Sequence, residues 1–317
     1  MHQQTRRSFV GLFFAFSLAA VTASAQPYAY VTSGAGQSVT IINRTTNRPS
    51  GFITVAGAPS GAAVTPDGAY LYVACASANN VAVISTATNA IVAHVAVGLK
   101  PMVVAITPNG SSAYVVNQGA NTVSVINTST RTVVATVPVG SYPSSLAVTP
   151  NGSEVLVTNR FSNTVSVIST ASHTVTGTWH ALIGPYAVAV SPDGTVAYVA
   201  NVSSNAVTVH STSTGAILST ISGFSSPNAV AMAPNGAKLY VANGNGGSVS
   251  AVNTVSKSII STVTTGAIPT SVAVSADSST VYVTNAYGYS VSIIAGATNI
   301  VSTIPRLIVP LTVALSH

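Results

Sequence analysis

From Tyr28 onward the chain is written in short runs that alternate apolar and polar residues, and the runs recur. "NTVSVI" at Asn121–Ile126 returns letter for letter at Asn163–Ile168, 42 positions later (163 − 121). Registers opening at Tyr28, Tyr70, Ser112, Glu154, Val196, Lys238 and Thr280 keep that interval throughout, slipping only near the end. Each copy holds four runs, for example "AYVVN" (Ala113–Asn117), "TVSVI" (Thr122–Ile126), "TVVATVPV" (Thr132–Val139) and "SLAVT" (Ser145–Thr149). Period-two alternation predicts strands, and no stretch sustains a helical period. A period of this length with four strands per copy predicts a β-propeller rather than a helical solenoid.

Turn chemistry marks the same period. Thr65-Pro66-Asp67-Gly68, Thr107-Pro108-Asn109-Gly110, Thr149-Pro150-Asn151-Gly152, Ser191-Pro192-Asp193-Gly194 and Ala233-Pro234-Asn235-Gly236 each follow a fourth run, and "SADS" is a decayed sixth. Proline presets such a turn, Asp or Asn tolerates its centre, and Gly takes the position that needs conformational freedom.

These motifs resemble the YVTN family of extracytoplasmic and surface-layer β-propeller repeats. The carrying residues are "YVTN" at Tyr282–Asn285, "YVAN" at Tyr198–Asn201 and Tyr240–Asn243, and "LVTN" at Leu156–Asn159. The resemblance implies that the strand before each proline turn is innermost and the "VATVPV" strand outermost. The expected fold is therefore all-β: seven blades of four antiparallel strands. The chain opens on a second strand and ends with an innermost one, "TVALS" (Thr312–Ser316), which predicts ring closure by C-terminal pairing beside Ala29–Thr32 and removes an open edge.

Composition adds a compartment. Charged residues are 4% of the chain, against roughly a quarter in ordinary globular proteins. Ser, Thr and Asn must supply the polar surface. Residues 1–25 read as a cleavable signal peptide, with Arg6 and Arg7 ahead of the apolar Phe9–Val21 and an A-x-A site at Ala23–Ala25. "TRRSF" fits the twin-arginine route, and the Phe-rich core fits the general secretory route equally well. Residues 26–317 are then a single exported propeller, periplasmic or at the cell surface, without a membrane span. Removing Arg6 and Arg7 leaves a net charge of +4 (8 − 4). Cys75 stands alone, so no internal disulfide is expected.

The recurring residues read as scaffold. Tyr30, Tyr72, Tyr114, Tyr198, Tyr240 and Tyr282 share one repeat position, filled by Leu156 in the remaining copy, and suit core packing. Asn117, Asn159, Asn201, Asn243 and Asn285 share another, where side-chain to backbone bonds closing the next turn are expected. All four acidic residues (Asp67, Glu154, Asp193 and Asp277) fall in or beside the proline turns, which places them on one face of the ring. The opposite, top face then lacks carboxylates for acid–base catalysis or cation binding. His94, His173, His180, His210 and His317 form no pair with metal-ligand spacing. No nucleophile-elbow, haem-attachment or phosphate-loop motif is present, so no cofactor is expected.

What departs from the repeat is more informative. Top-face loops mostly carry Gly, Ser, Ala and Asn, but three consecutive blades carry Lys100, Gln118, Tyr142, Arg160, Phe161 and Tyr186. Tyr287 and Tyr289 form a second aromatic group across the ring. These predict a shallow ligand-binding surface of aromatic platforms and cations. The expected function is that of a monomeric, non-enzymatic binding module for an envelope component, either glycan or protein. Two alternatives are a lactonase-type hydrolase and a single-stranded nucleic-acid binder, the latter disfavoured by so few charges.

Overall fold

The computed structural model describes residues 27–316. The expected signal peptide lies outside these residues. Seven four-stranded antiparallel sheets are arranged as blades, in agreement with the repeat. Blade 1 is built from Pro310–Leu315, Tyr28–Ser33, Ser38–Asn43 and Arg48–Thr54, in order from the inside outward. Its inner strand is the last of the chain, pairing Tyr30 with Ala314 and Val31 with Val313. The ring is thus closed by the C-terminal strand, and Tyr28 and Ser316 bond to each other at the join. Blades 2 to 7 each run from inside to outside in chain order, with inner strands opening at Pro59, Pro101, Pro143, Pro185, Pro227 and Pro269. Among the described residues, no helix is long and apolar enough to cross a membrane.

The apolar core is a set of seams between neighbouring blades. Tyr114, Val116, Val123 and Val125 of blade 3, for example, pack on Leu146, Val155, Val157 and Ile168 of blade 4. Both faces of each sheet are covered, so second and third strands are buried almost continuously. The scaffold tyrosines reach further than their own seam. The Tyr72 hydroxyl donates to Thr128 O of the next blade, the Tyr114 hydroxyl meets His173 Nδ1 at 3.1 Å, and the Tyr282 hydroxyl donates to Asn47 Oδ1. Each ties one blade to the outer turn of its neighbour. Burial pushes the Tyr114 phenol up to about 12.

The repeated asparagines differ from expectation. Asn117 Nδ2 donates to Thr122 Oγ1 (3.1 Å) and Ser124 Oγ (2.8 Å), and Asn159 repeats this on Thr164 and Ser166. The amide therefore stitches the second strand to side chains of the third rather than to turn backbone. Hydroxyls at alternate third-strand positions lie on the same side as the amide, which makes them nearer partners than the turn. Cys75 occupies the same repeat position and is fully buried.

Candidate functional site

Every inner strand begins with the same local device. The residue before its proline lies in the left-handed region: Ala58, Lys100, Tyr142, Gly184, Ser226, Ile268 and Val309, with φ of 53° at Lys100 and 56° at Tyr142. Only Gly184 adopts that conformation without cost. An asparagine of the preceding blade steadies it, since Asn79 Oδ1 accepts the Lys100 amide (2.9 Å) and Asn121 Oδ1 the Tyr142 amide (2.8 Å). The residue after the proline is then bulged out of register. In blade 4, Pro143 opposes Asn159 while Ser145 opposes Thr158, leaving Ser144 without a partner in the ladder. Bulges re-aim side chains, and these line a cavity of about 260 Å³ at the top of the central channel.

The sequence pattern anticipates Tyr186 in this ring but not Ser60, Met102, Ser144, Asn228, Thr270 or Leu311. Its one signal is that the residue after each repeat proline differs in nearly every copy. Ser60, Ser144 and Thr270 spend their hydroxyls on carbonyls of the next inner strand, with Ser144 Oγ donating to Tyr186 O at 2.9 Å. They belt the channel mouth together.

Six of the nominated residues form one arc above this mouth. Arg160 N donates to Tyr142 O and Phe161 N to Ser141 O, which clamps the two top loops of blade 4 against each other. Tyr142 stacks on Phe161 with ring centroids 4.3 Å apart and planes inclined by 25°. Lys100 Nζ lies 5.9 Å from the Tyr142 centroid. The Arg160 guanidinium is 5.8 Å from the Phe161 ring and 5.4 Å from that of Tyr186. These distances suit cation–π attraction. Desolvation raises the Tyr186 phenol above its ordinary range, partly offset by the positive charge of Arg160. Gln118 is buried at the channel wall, whereas Phe161 is 63% exposed. Tyr287 and Tyr289 sit apart on the top loop of blade 7, both exposed and without ring partners among the described residues. Tyr289 takes the position held by Asn79 and Asn121 elsewhere and keeps their left-handed backbone, at φ 48°.

The carboxylates are on the other face. Asp67 accepts Thr65 Oγ1 and the Ala69 amide; Asp193 and Asp277 do the same in their turns. The Ser275 hydroxyl, then Ser279, hold Asp277 down to about 2. Among the described residues, no three of His, Cys, Asp and Glu come together as a metal site. His210 is fully buried in blade 5, bonded to Gly215 O (3.0 Å) and Thr208 Oγ1 (2.9 Å) and stacked on Trp179, remote from the top face.

Comparison with known proteins follows the fold closely. No curated protein matches the sequence. Among solved structures, hydrazine synthase of Kuenenia stuttgartiensis is 23% identical, with a TM-score of 0.78 over 90% of this chain and 99% of that one. A functionally unknown protein from Desulfotomaculum acetoxidans reaches a TM-score of 0.83 at 16% identity, covering 92% and 99%. A protein proposed to be a 6-phosphogluconolactonase, from Bacteroides uniformis, reaches 0.76 at 16% identity, also covering 92% and 99%. At these identities the likeness is one of fold. The family model of YNCE-like β-propellers matches residues 101–302, which take in the arc from Gln118 to Tyr186 but not Lys100, and the chain belongs to that family.

Proposed function

We propose that this chain is an exported binding module of the YVTN-repeat kind, one that works without catalysis and engages a glycan or protein of the cell envelope through the top-face arc. The observation that carries this reading is the continuous set Lys100, Tyr142, Phe161, Arg160 and Tyr186, in which two cations lie over aromatic faces. Aromatic faces give stacking area at low entropic cost, and cations beside them give direction. The surrounding disc supports this use, because rigid seams hold the loops in place before any partner arrives. With all four carboxylates at or beside the far turns, the arc offers stacking and positive charge but no acid–base pair.

The test is an envelope pull-down with folded protein beside a Tyr142/Arg160/Phe161/Tyr186→Ala variant whose melting transition is checked first. A component retained by the wild type and lost by the folded variant is the expected result. Equal retention by both would move the binding surface elsewhere. Turnover of a sugar lactone by the purified protein would overturn the non-catalytic reading.

A further inference from the structure

The top position that follows each second strand is small in five blades: Gly34, Ala76, Val202, Gly244 and Ala286. In blades 3 and 4 it is Gln118 and Arg160. Side chains here abut the bulged residue of their own blade. A Cβ on Gly244 would come within 2.8 Å of Asn228 Nδ2, and one on Gly34 within 3.3 Å of Leu311 Cδ1. Gln118, with its longer side chain, lines the mouth cavity. It is 7% exposed, yet its amide makes no hydrogen bond among the described residues. The amide is thus open to the mouth and available to a molecule seated there, and Asn228 Oδ1 across the mouth is buried without a partner among the described residues.

The surroundings narrow what that could be. The mouth receives Tyr186 from blade 5 with the Arg160 guanidinium over its ring, and every carboxylate is on the far face. Cations are therefore repelled and anions attracted. The Gln118 amide both donates and accepts, so its best partner carries an anionic oxygen beside a hydroxyl. The opposite wall mixes Asn228, Thr270, Ser271 and Thr312 with Leu311 and Val272. About 260 Å³ lies just under the usual range for ligand sites and suits a monosaccharide-sized molecule.

We propose that the channel mouth is a site for a small hydroxylated carboxylate of sugar-acid size, anchored by Gln118 and Arg160 with Tyr186 beside it. This deepens the binding reading above and rests on it.

Calorimetric titration with gluconate, glucose and glucosamine tests it, since the three probes share a hydroxylated skeleton and differ in charge. Gluconate is expected to bind about tenfold more tightly than glucose, the scale of one charge-assisted hydrogen bond, with glucosamine weakest. Arg160→Ala should erase the preference for gluconate over glucose. Gln118→Leu should weaken both, and Val255→Ala, on an exposed turn of the far face, should change neither. Equal binding of the three probes, absence of gluconate binding at millimolar concentration, or gluconate affinity that survives both substitutions would overturn the proposal. The envelope pull-down separates this failure from that of the binding reading. A component still captured through the arc by a protein that ignores gluconate sinks the small-ligand site alone, whereas loss of both sinks both.

Discussion

The two faces of the ring are made from the same repeat and treat charge in opposite ways. On the bottom face, Asp67, Asp193 and Asp277 are each consumed by the hydroxyl and amide of their own turn, and the Gly68 and Gly194 backbones take the left-handed conformation that glycine allows. On the top face, Arg160 lies over rings rather than against a carboxylate. Where the sequence follows the repeat, polar groups are satisfied locally. Where it departs, on the top face, cations and aromatic rings gather in one arc. The left-handed backbone is common to both faces, since Arg131, His173 and Lys257 hold it on the outer bottom turns and six residues besides Gly184 hold it before the repeat prolines, so it belongs to the fold.

A seam tyrosine makes the comparison breakable. Tyr114 belongs to the seam between blades 3 and 4 and is fully buried, with its hydroxyl at His173. Tyr114→Ala should cost about 3–5 kcal/mol, as buried aromatic truncations do, measured by urea unfolding. A loss below about 1 kcal/mol would mean that the seams do not carry the stability. Arc substitutions should instead leave the urea midpoint nearly unmoved and abolish retention of the partner.

Acid should damage the seams and turns before it touches the arc. Burial lowers the His210 pKa from its ordinary 6.5, so the unfolded chain takes up the proton first. The stability it contributes is complete above about 6.5 and is lost as pH falls through that value. His210→Ile, which restores the residue found at Ile42, Ile84, Ile126 and Ile168, should flatten the fall in melting temperature between pH 7 and 5. A second fall should follow below 3.8, as Asp277 is protonated on the way to its folded value of about 2. An unchanged pH profile in the His210→Ile protein would remove His210 from this account.

The period, the seven blades and the C-terminal closure were legible because each copy repeats its turn chemistry and alternation without slipping until the last. The arc was legible for the converse reason, since Lys100, Tyr142, Arg160 and Phe161 stand where other copies are small or polar. The ring of bulged residues at the channel mouth was not. A single bulged residue after a proline leaves the alternation of "SLAVT" intact, and the left-handed residue that aims it is marked by glycine only at Gly184. The asparagine role was misjudged for a related reason, because its hydroxyl partners at Thr122 and Ser124 are set by strand pairing rather than by the adjacent turn.

The smallest effect discriminates most finely. At position 142 the backbone sits at φ 56°, which costs a non-glycine residue about 1–2 kcal/mol. The tyrosine offsets part of that cost by stacking on Phe161, a contribution of about 0.5–1.5 kcal/mol. Tyr142→Ala keeps the strain and loses the ring. Tyr142→Gly loses the ring and the strain, while adding about 0.5–1 kcal/mol of unfolded-state freedom. Glycine should therefore equal or exceed alanine in stability here by up to about 1 kcal/mol, the reverse of their order within a strand. Both variants keep the backbone bonds from Tyr142 to Asn121 and Arg160, so both should lose partner retention equally. If alanine proved the more stable of the two in urea unfolding, the left-handed backbone would carry no cost at this site. Tyr142 would then be a loop residue like any other.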